Sequence, residues 1–99
     1  MKTKVELAEQ PLAYLRGLAP EPRRMIRRAL RNLELGRGDI EQLEPPLEDY
    51  ARLRVRGYRI IVRFEVMRAA RVATSVFIER RAVVCELFEA ILRGSGFGI

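Results

Sequence analysis

The segment from Tyr50 to Val66 constrains the fold most, because apolar and other residues alternate along it with a period of two. Such alternation is typical of β-strands with one buried and one exposed face. Gly57 interrupts the pattern, which predicts two antiparallel strands joined by a tight turn. Leu53 and Val55 are expected to face a core. The opposite face of the first strand is expected to carry Arg52, Arg54 and Arg56.

A third strand is predicted directly after this hairpin. A looser turn at Met67–Ala70 leads into Arg71–Ile78, so the three strands are expected to form an antiparallel meander. One side of the third strand is expected to hold Val72, Thr74, Val76 and Ile78. Residues 2–8 alternate weakly and predict a short first strand. Residues 36–49, which contain glycines and two prolines, are predicted to be a loop.

Three helices are predicted around the sheet. The first begins near Pro11 and stops near Gly17, and the second begins around Pro22 and ends at Gly36. A last helix is expected from about residue 80 to residue 92, before a flexible tail at 94–99. Since only helices can cover the apolar side of the sheet, the predicted fold class is α+β. It consists of a small antiparallel sheet with two N-terminal helices and one C-terminal helix, in a single domain of residues 1–93.

The charge of the chain is basic and unevenly distributed. Of the 19 basic residues only Lys2 and Lys4 are lysines, so 17 are arginines, and the net charge is +6. Between residues 50 and 81, nine arginines stand against two acidic residues. A GC-rich genome would explain the preference for arginine over lysine. The segregation favours a polyanionic partner, because a guanidinium group can bind phosphate through two hydrogen bonds.

The second helix carries a basic face without an acidic residue: Arg23, Arg24, Arg27, Arg28 and Arg31. A charged face is ordinarily the solvated side of an amphipathic helix. Direct contact with RNA, through Arg27 and Arg28, is the alternative.

Some classes of chemistry are excluded by the absence of histidine. Neither a Ser-His triad nor a histidine-ligated metal can form, so no metal and no cofactor are expected. The only cysteine, Cys85, cannot form an internal disulfide, which fits a reducing compartment. No apolar run approaches the roughly 18 residues that a membrane span needs. The chain is therefore expected to be cytoplasmic, without a membrane partner.

The hairpin and the segment after the third strand together resemble a known family. RLRVRGYRIIV at 52–62 is similar to the central hairpin RLRVGDYRVIY of RelE/ParE toxins, and RRAVVC at 80–85 is similar to their HR-x-x-x-Y element. The resemblance covers about residues 2–92. It implies a microbial-RNase-like α+β fold and a cognate antitoxin as partner. In the RNase branch it implies metal-free cleavage of mRNA by its own 2′-hydroxyl, usually on the ribosome.

The resemblance also implies a site. By matching position, Arg52 and Arg54 take the place of the basic strand residues that hold the RNA backbone, and Arg56 shares their alternation. Arg59 takes the place of the arginine that stabilises the phosphate. Glu41 is the nearest counterpart of a glutamate that some relatives use as the base. Arg81 takes the place of the arginine in the C-terminal element, or Arg80 does if the register shifts by one.

Cys85 stands where the family has a tyrosine that stacks on a base. A thiol cannot stack in this way. Three interpretations remain open: a small buried apolar side chain, a nucleophile that lacks a histidine to activate it, and a substitution that weakens the toxin.

Three functions remain open as well. The first is an mRNA endoribonuclease, which the arginine-dense hairpin favours. The second is a ParE-like inhibitor of DNA gyrase without nuclease activity, because a shared fold does not determine the activity. The third is a non-catalytic RNA-binding relative. The antitoxin of either toxin is expected to be acidic and to cover the broad apolar stripe between Val83 and Leu92.

Overall fold

The computed structural model describes residues 2–81. In chain order it contains β1 (Lys2–Leu7), α1 (Glu9–Gly17), α2 (Pro20–Glu34), β2 (Asp39–Gln42), β3 (Tyr50–Val55), β4 (Tyr58–Met67) and β5 (Ala70–Arg80). The α+β class predicted from the sequence is confirmed. The body of the last predicted helix, Cys85, the Val83–Leu92 stripe and the tail at 94–99 lie outside the described residues.

The five strands form one mixed sheet in the order β1-β5-β4-β3-β2. From β2 to β5 the strands pair antiparallel, as predicted for the hairpin and the strand after it. β1 instead pairs parallel with β5, with Lys2 opposite Ala70 and Leu7 opposite Ser75. The prediction of a purely antiparallel sheet is wrong at this edge. An alternating pattern reports which side chains are buried, but not the direction of the neighbouring strand.

The strand β2 lies inside the segment predicted to be a loop, so that prediction is wrong for Asp39–Gln42. All four residues of β2 are exposed, and no buried side chain signals the strand in the sequence. The chain enters it from α2 through Gly36 (φ 75°) and Gly38 (φ 140°), a conformation that other residues rarely adopt. A Cβ atom on Gly38 would lie 3.1 Å from Leu53 Cδ1. The glycine therefore allows close packing of this connection on β3.

The core lies between the helices and one face of the sheet. Leu15 of α1 is buried there, together with Ile26, Leu30 and Leu33 of α2. The sheet contributes Leu53, Val55, Ile60, Val62, Ala73 and Ile78. The prediction that Leu53 and Val55 of β3 face the core is thus confirmed. No helix within residues 2–81 is long and apolar enough to cross a membrane.

The strand β5 contains an irregularity that the sequence pattern does not reveal. Ile61 lies opposite Phe77 but Val62 lies opposite Ser75, so Val76 is an extra residue in the ladder. A bulge of this kind changes which side chains face the core. Ala73 faces the core before it and Ile78 after it. The prediction that Val72, Thr74, Val76 and Ile78 share one side is therefore wrong.

Candidate nucleic-acid interface

Four arginines occupy the face of the sheet opposite the helices. Arg52 and Arg54 alternate on β3 with residues that are buried on the helix side, so their side chains extend to the other face. Arg54 lies directly opposite Arg59 of β4. Alternation along β4 adds Arg63, which is exposed. We call Arg52, Arg54, Arg59 and Arg63 the arginine face.

Glu41 and Asp39 lie beside this face rather than in a loop. In the antiparallel pair β2–β3, Glu41 is opposite Arg52 and Asp39 is opposite Arg54. Glu41 Oε1 is 3.7 Å from Arg52 Nη1 and 3.2 Å from Arg54 Nη2. Asp39 Oδ1 is 3.2 Å from Arg54 Nη1. The structure therefore brings together the expected base, Glu41, and the two expected phosphate-binding residues of β3.

These ion pairs are accessible to a ligand. The side chains of Glu41 and Asp39 are 53% and 64% exposed, and that of Arg54 is 36% exposed. An ion pair in such a position stabilises a protein by only about 0–1 kcal/mol. A phosphate group that binds Arg54 can consequently displace either carboxylate at little cost.

The guanidinium group of Arg59 lies over the β3–β4 turn. Its Nη1 donates hydrogen bonds to the carbonyl oxygens of Arg56 (2.7 Å) and Tyr58 (2.8 Å). These bonds hold the side chain at the end of the hairpin, next to Arg54 on the neighbouring strand. Arg59 thus has the fixed position that phosphate stabilisation requires.

Arg56 does not lie on the arginine face, and the prediction that it shares a side with Arg52 and Arg54 is wrong. β3 ends at Val55, and Arg56 is an exposed turn residue with φ 52°. Because the left-handed backbone breaks the strand alternation, its side chain instead lines a groove beside α2. Arg28 lines the same groove, whereas Arg27 is exposed on α2 without lining it.

Arg80 and Arg81 lie at the same end of the hairpin. Arg80 is the last residue of β5 and lies opposite Tyr58, and Arg81 is helical, so the helix expected from about residue 80 begins one residue later. The backbone N–H of Arg81 donates to the carbonyl oxygen of Gly57 at 2.8 Å. Both arginine side chains are exposed. The backbone N–H of Arg81 and the guanidinium group of Arg59 therefore both contact the β3–β4 turn.

A polar cluster near this turn was not predicted from the sequence. The hydroxyl of Tyr14 donates to Glu79 Oε1 at 3.0 Å, and its ring meets that of Tyr58 edge to face with centroids 6.4 Å apart. Glu79 lies directly opposite Arg59. Burial, and next the hydrogen bond to Glu79, raise the pKa of Tyr14 to about 12. The only signal in the sequence is a tyrosine beside Leu15 on an amphipathic helix.

Gln10 fixes the end of β5 to which this cluster belongs. Its side-chain amide donates to the carbonyl oxygen of Ile78 and accepts from the N–H of Ile78, both at 2.9 Å. The pairing of β1 with β5 ends at Ser75, so the side chain of Gln10 continues the ladder in place of a strand. These two hydrogen bonds to Gln10 of α1 hold the residues before Arg80 and Arg81 in position.

The combined arrangement is suited to binding a chain of phosphates. Guanidinium groups remain protonated at any working pH and form charge-assisted hydrogen bonds with phosphate oxygens. Within residues 2–81, no three Asp, Glu, Cys or His side chains are grouped as metal ligands. Comparison of the chain with protein-family models, curated proteins and solved structures finds no match. The functional interpretation therefore depends on the arginine face and on the carboxylates beside it.

Proposed function

We propose that the protein is a RelE/ParE-type toxin that binds mRNA on the arginine face and cleaves it. The observation that carries the proposal is the convergence of Arg52, Arg54 and Arg59 with the exposed carboxylate of Glu41 on one face of the sheet. The resemblance of residues 52–62 to the hairpin of these toxins, by which these residues were expected to form a site, supports it as well.

The cross-strand pair of arginines favours an anionic ligand. Arg54 and Arg59 occupy opposite positions on β3 and β4, where like charges are destabilising unless they are compensated. Asp39 and Glu41 compensate Arg54 from β2, and Glu79 lies opposite Arg59. A phosphodiester bound between the two arginines would displace the exposed carboxylates from Arg54, and its charge would grow in the transition state of cleavage. Electrostatic stabilisation of that charge is commonly the largest single contribution to catalysis.

The reaction that these groups can support is attack by the neighbouring 2′-hydroxyl. Glu41 accepts the proton of that hydroxyl, and the oxygen forms a bond to phosphorus. The arginines stabilise the negative phosphorane. The bond from phosphorus to the 5′-oxygen then breaks, and the leaving oxygen takes a proton from water. The hydroxide that remains takes the proton from Glu41 and restores its carboxylate. The products are a 2′,3′-cyclic phosphate and a 5′-hydroxyl end, and no metal is required.

The proposal is tested by inducing the protein under tight control and mapping mRNA 5′ ends. The wild type is expected to fragment mRNA and to arrest growth. The Arg54→Ala/Arg59→Ala variant should do neither, while its melting temperature stays close to that of the wild type. Arg16→Ala, at an exposed position on α1, is the matched charge control and should behave like the wild type.

Binding in vitro gives the second criterion. Each phosphate contact that is lost should flatten the dependence of log K on log salt by about 0.7, so the double variant should lose about 1.4. An unchanged affinity and salt slope would contradict the assignment of the arginine face. Growth arrest with DNA damage and intact mRNA would instead identify a gyrase inhibitor. RNA binding without any cleavage would identify the non-catalytic relative.

A cognate antitoxin is part of the same proposal. The net charge of +6 favours an acidic partner, because complementary charge accelerates association. Co-expression of a small acidic protein encoded next to this chain should abolish growth arrest and co-purify with it. Failure of every neighbouring reading frame to neutralise the protein would contradict this part.

A further inference from the structure

A second basic cluster lies outside the arginine face, in a groove between α2 and the β3–β4 turn. Arg24 and Arg28 are one helical turn apart on α2, and Arg56 approaches from the turn. The lining is completed by Glu21, Pro22 and Met25. The open volume is about 450 Å³, which falls in the range of roughly 300–1,000 Å³ usual for small-ligand sites.

The three arginines of the groove lack the carboxylate partners that the arginine face has. Within residues 2–81, the ion pairs involve Arg52 and Arg54, but not Arg24, Arg28 or Arg56. The groove also holds one acidic residue, which lies too far from these arginines to form an ion pair. Three exposed guanidinium groups and one carboxylate give a local excess of positive charge. Such an excess attracts an anionic ligand.

The backbone of Arg56 gives a separate reason to assign it a function. A residue other than glycine at φ 52° carries a conformational cost of about 1–2 kcal/mol. Glycine would avoid that cost, and the next residue in the turn is already glycine. The carbonyl group of Arg56 is held by the guanidinium group of Arg59 at 2.7 Å. A strained residue kept in place by its neighbours is a feature common at binding sites.

We propose that the groove of Arg24, Arg28 and Arg56 is a second phosphate subsite for the RNA strand that binds the arginine face. This inference rests on the proposed function. Arg59 of the arginine face donates to the carbonyl oxygen of Arg56 of the groove at 2.7 Å, so the two clusters adjoin at the turn. One strand can therefore pass from the arginine face across the turn to the groove. The ligand is therefore a single-stranded RNA of several nucleotides. An RNA that is too short to cross the turn contacts only the arginine face.

The test compares two RNAs that share a core sequence, one of about 4 nucleotides and one of about 12. Both are made uncleavable by 2′-O-methylation. Affinity is measured by fluorescence anisotropy at several salt concentrations. Arg28→Ala should weaken binding of the longer RNA about fivefold and flatten its salt slope by about 0.7. Binding of the shorter RNA should not change.

The chain offers a matched control in the adjacent residue. Arg27→Ala removes the same charge from an exposed position on the same helix, but Arg27 does not line the groove. It should leave both affinities within about twofold. Arg56→Gly should weaken binding of the longer RNA while preserving or raising the melting temperature, since it removes the strain together with the side chain. That combination separates loss of a contact from loss of structure.

The possible failures are distinguishable. Equal losses for Arg27→Ala and Arg28→Ala would mean diffuse attraction and would overturn the subsite. A loss for Arg28→Ala that is equal for both RNAs would overturn it as well. Arg54→Ala reports on the proposed function alone, because it should weaken even the shorter RNA. If Arg54→Ala changes neither affinity while Arg28→Ala still acts on the longer RNA, the proposed function fails and the groove remains an RNA site.

Discussion

In the proposed function, Asp39 and Glu41 would both compete with RNA for Arg54, and their roles can be separated by single substitutions. Both carboxylates pair with Arg54, but only Glu41 also lies near Arg52 and matches the expected base. Asp39→Asn and Glu41→Gln are each expected to raise RNA affinity by up to about fivefold, because an exposed ion pair contributes at most about 1 kcal/mol.

The two variants should differ in cleavage. Glu41→Gln is expected to reduce cleavage about 100-fold or more, as loss of a general base commonly does. Asp39→Asn should preserve it. Single-turnover cleavage of a short mRNA, with affinity measured separately, makes the comparison. Equal cleavage by the two variants would exclude Glu41 as the base.

Tyr14 connects the stability of the fold to alkaline pH. The pKa of Tyr14 is raised to about 12 from an ordinary value of 10, so the fold favours the neutral phenol. The stability that this contributes is complete below pH 10 and is lost as the pH rises from 10 to 12. Tyr14→Phe is expected to cost about 1 kcal/mol at neutral pH and to weaken the pH dependence in that window.

Urea unfolding between pH 7 and pH 12 measures this effect. Tyr58→Phe is the control, since the Tyr58 hydroxyl forms no hydrogen bond within the described part of the chain. A pH dependence that is the same in Tyr14→Phe and the wild type would contradict the burial of Tyr14 together with its hydrogen bond to Glu79.

Cys85 lies outside the described residues, and the prediction for it comes from the resemblance alone. Stacking of a base on an aromatic ring is worth about 1–3 kcal/mol. Cys85→Tyr is therefore expected to raise RNA cleavage and toxicity roughly tenfold or more, with little change in melting temperature. Growth arrest and mRNA fragmentation after matched induction are the measurements. Equal activity would mean that Cys85 is an ordinary packing residue.

At the scale of secondary structure, the predictable elements are those whose apolar residues are periodic. The helix α2 and the hairpin β3–β4 have such patterns, and both were predicted close to their observed bounds. The strand β2 has none, because backbone pairing and exposed ion pairs hold it in the sheet. Its position beside β3 nevertheless brings Glu41 into the site. The bulge in β5 also leaves no signal in the sequence. The extra residue shifts the alternation of buried and exposed positions, but the types of residue in the strand stay the same.

The connection from α2 to β2 gives a test at this scale. Gly38→Ala is expected to destabilise the fold by about 1–3 kcal/mol, because φ 140° is strained for alanine and the new methyl group would crowd Leu53. Gly17→Ala is the control, since an added Cβ there meets nothing within 4 Å. It should be neutral or stabilising by up to about 1 kcal/mol. Urea unfolding distinguishes the two, and equal effects would contradict the packing of Gly38 on β3.

At the scale of the whole molecule, the sequence predicts that basic and acidic residues are segregated. It does not predict how the basic residues are distributed between separate surfaces. The alternation on β3 correctly assigns Arg52 and Arg54 to one face. It fails for Arg56, because a single left-handed residue turns that side chain towards α2. The sequence also does not distinguish Arg28 from Arg27, since the packing of α2 against the sheet decides which one reaches the turn. Tertiary contacts thus divide the arginines of α2 and of the hairpin into two basic clusters.

The parallel pairing of β1 with β5 determines the order in which the molecule can be assembled. β1 is synthesised first, but its partner strand begins at residue 70. β1 can therefore pair only after nearly all of the described chain has been synthesised. Contacts this distant in sequence slow folding, since the intervening chain must first be ordered. β1 and β5 are also joined by the N–H of Ala8, which donates to the carbonyl oxygen of Ser75. A nascent chain that stops before β5 therefore lacks the strand that joins β1 to the rest of the sheet.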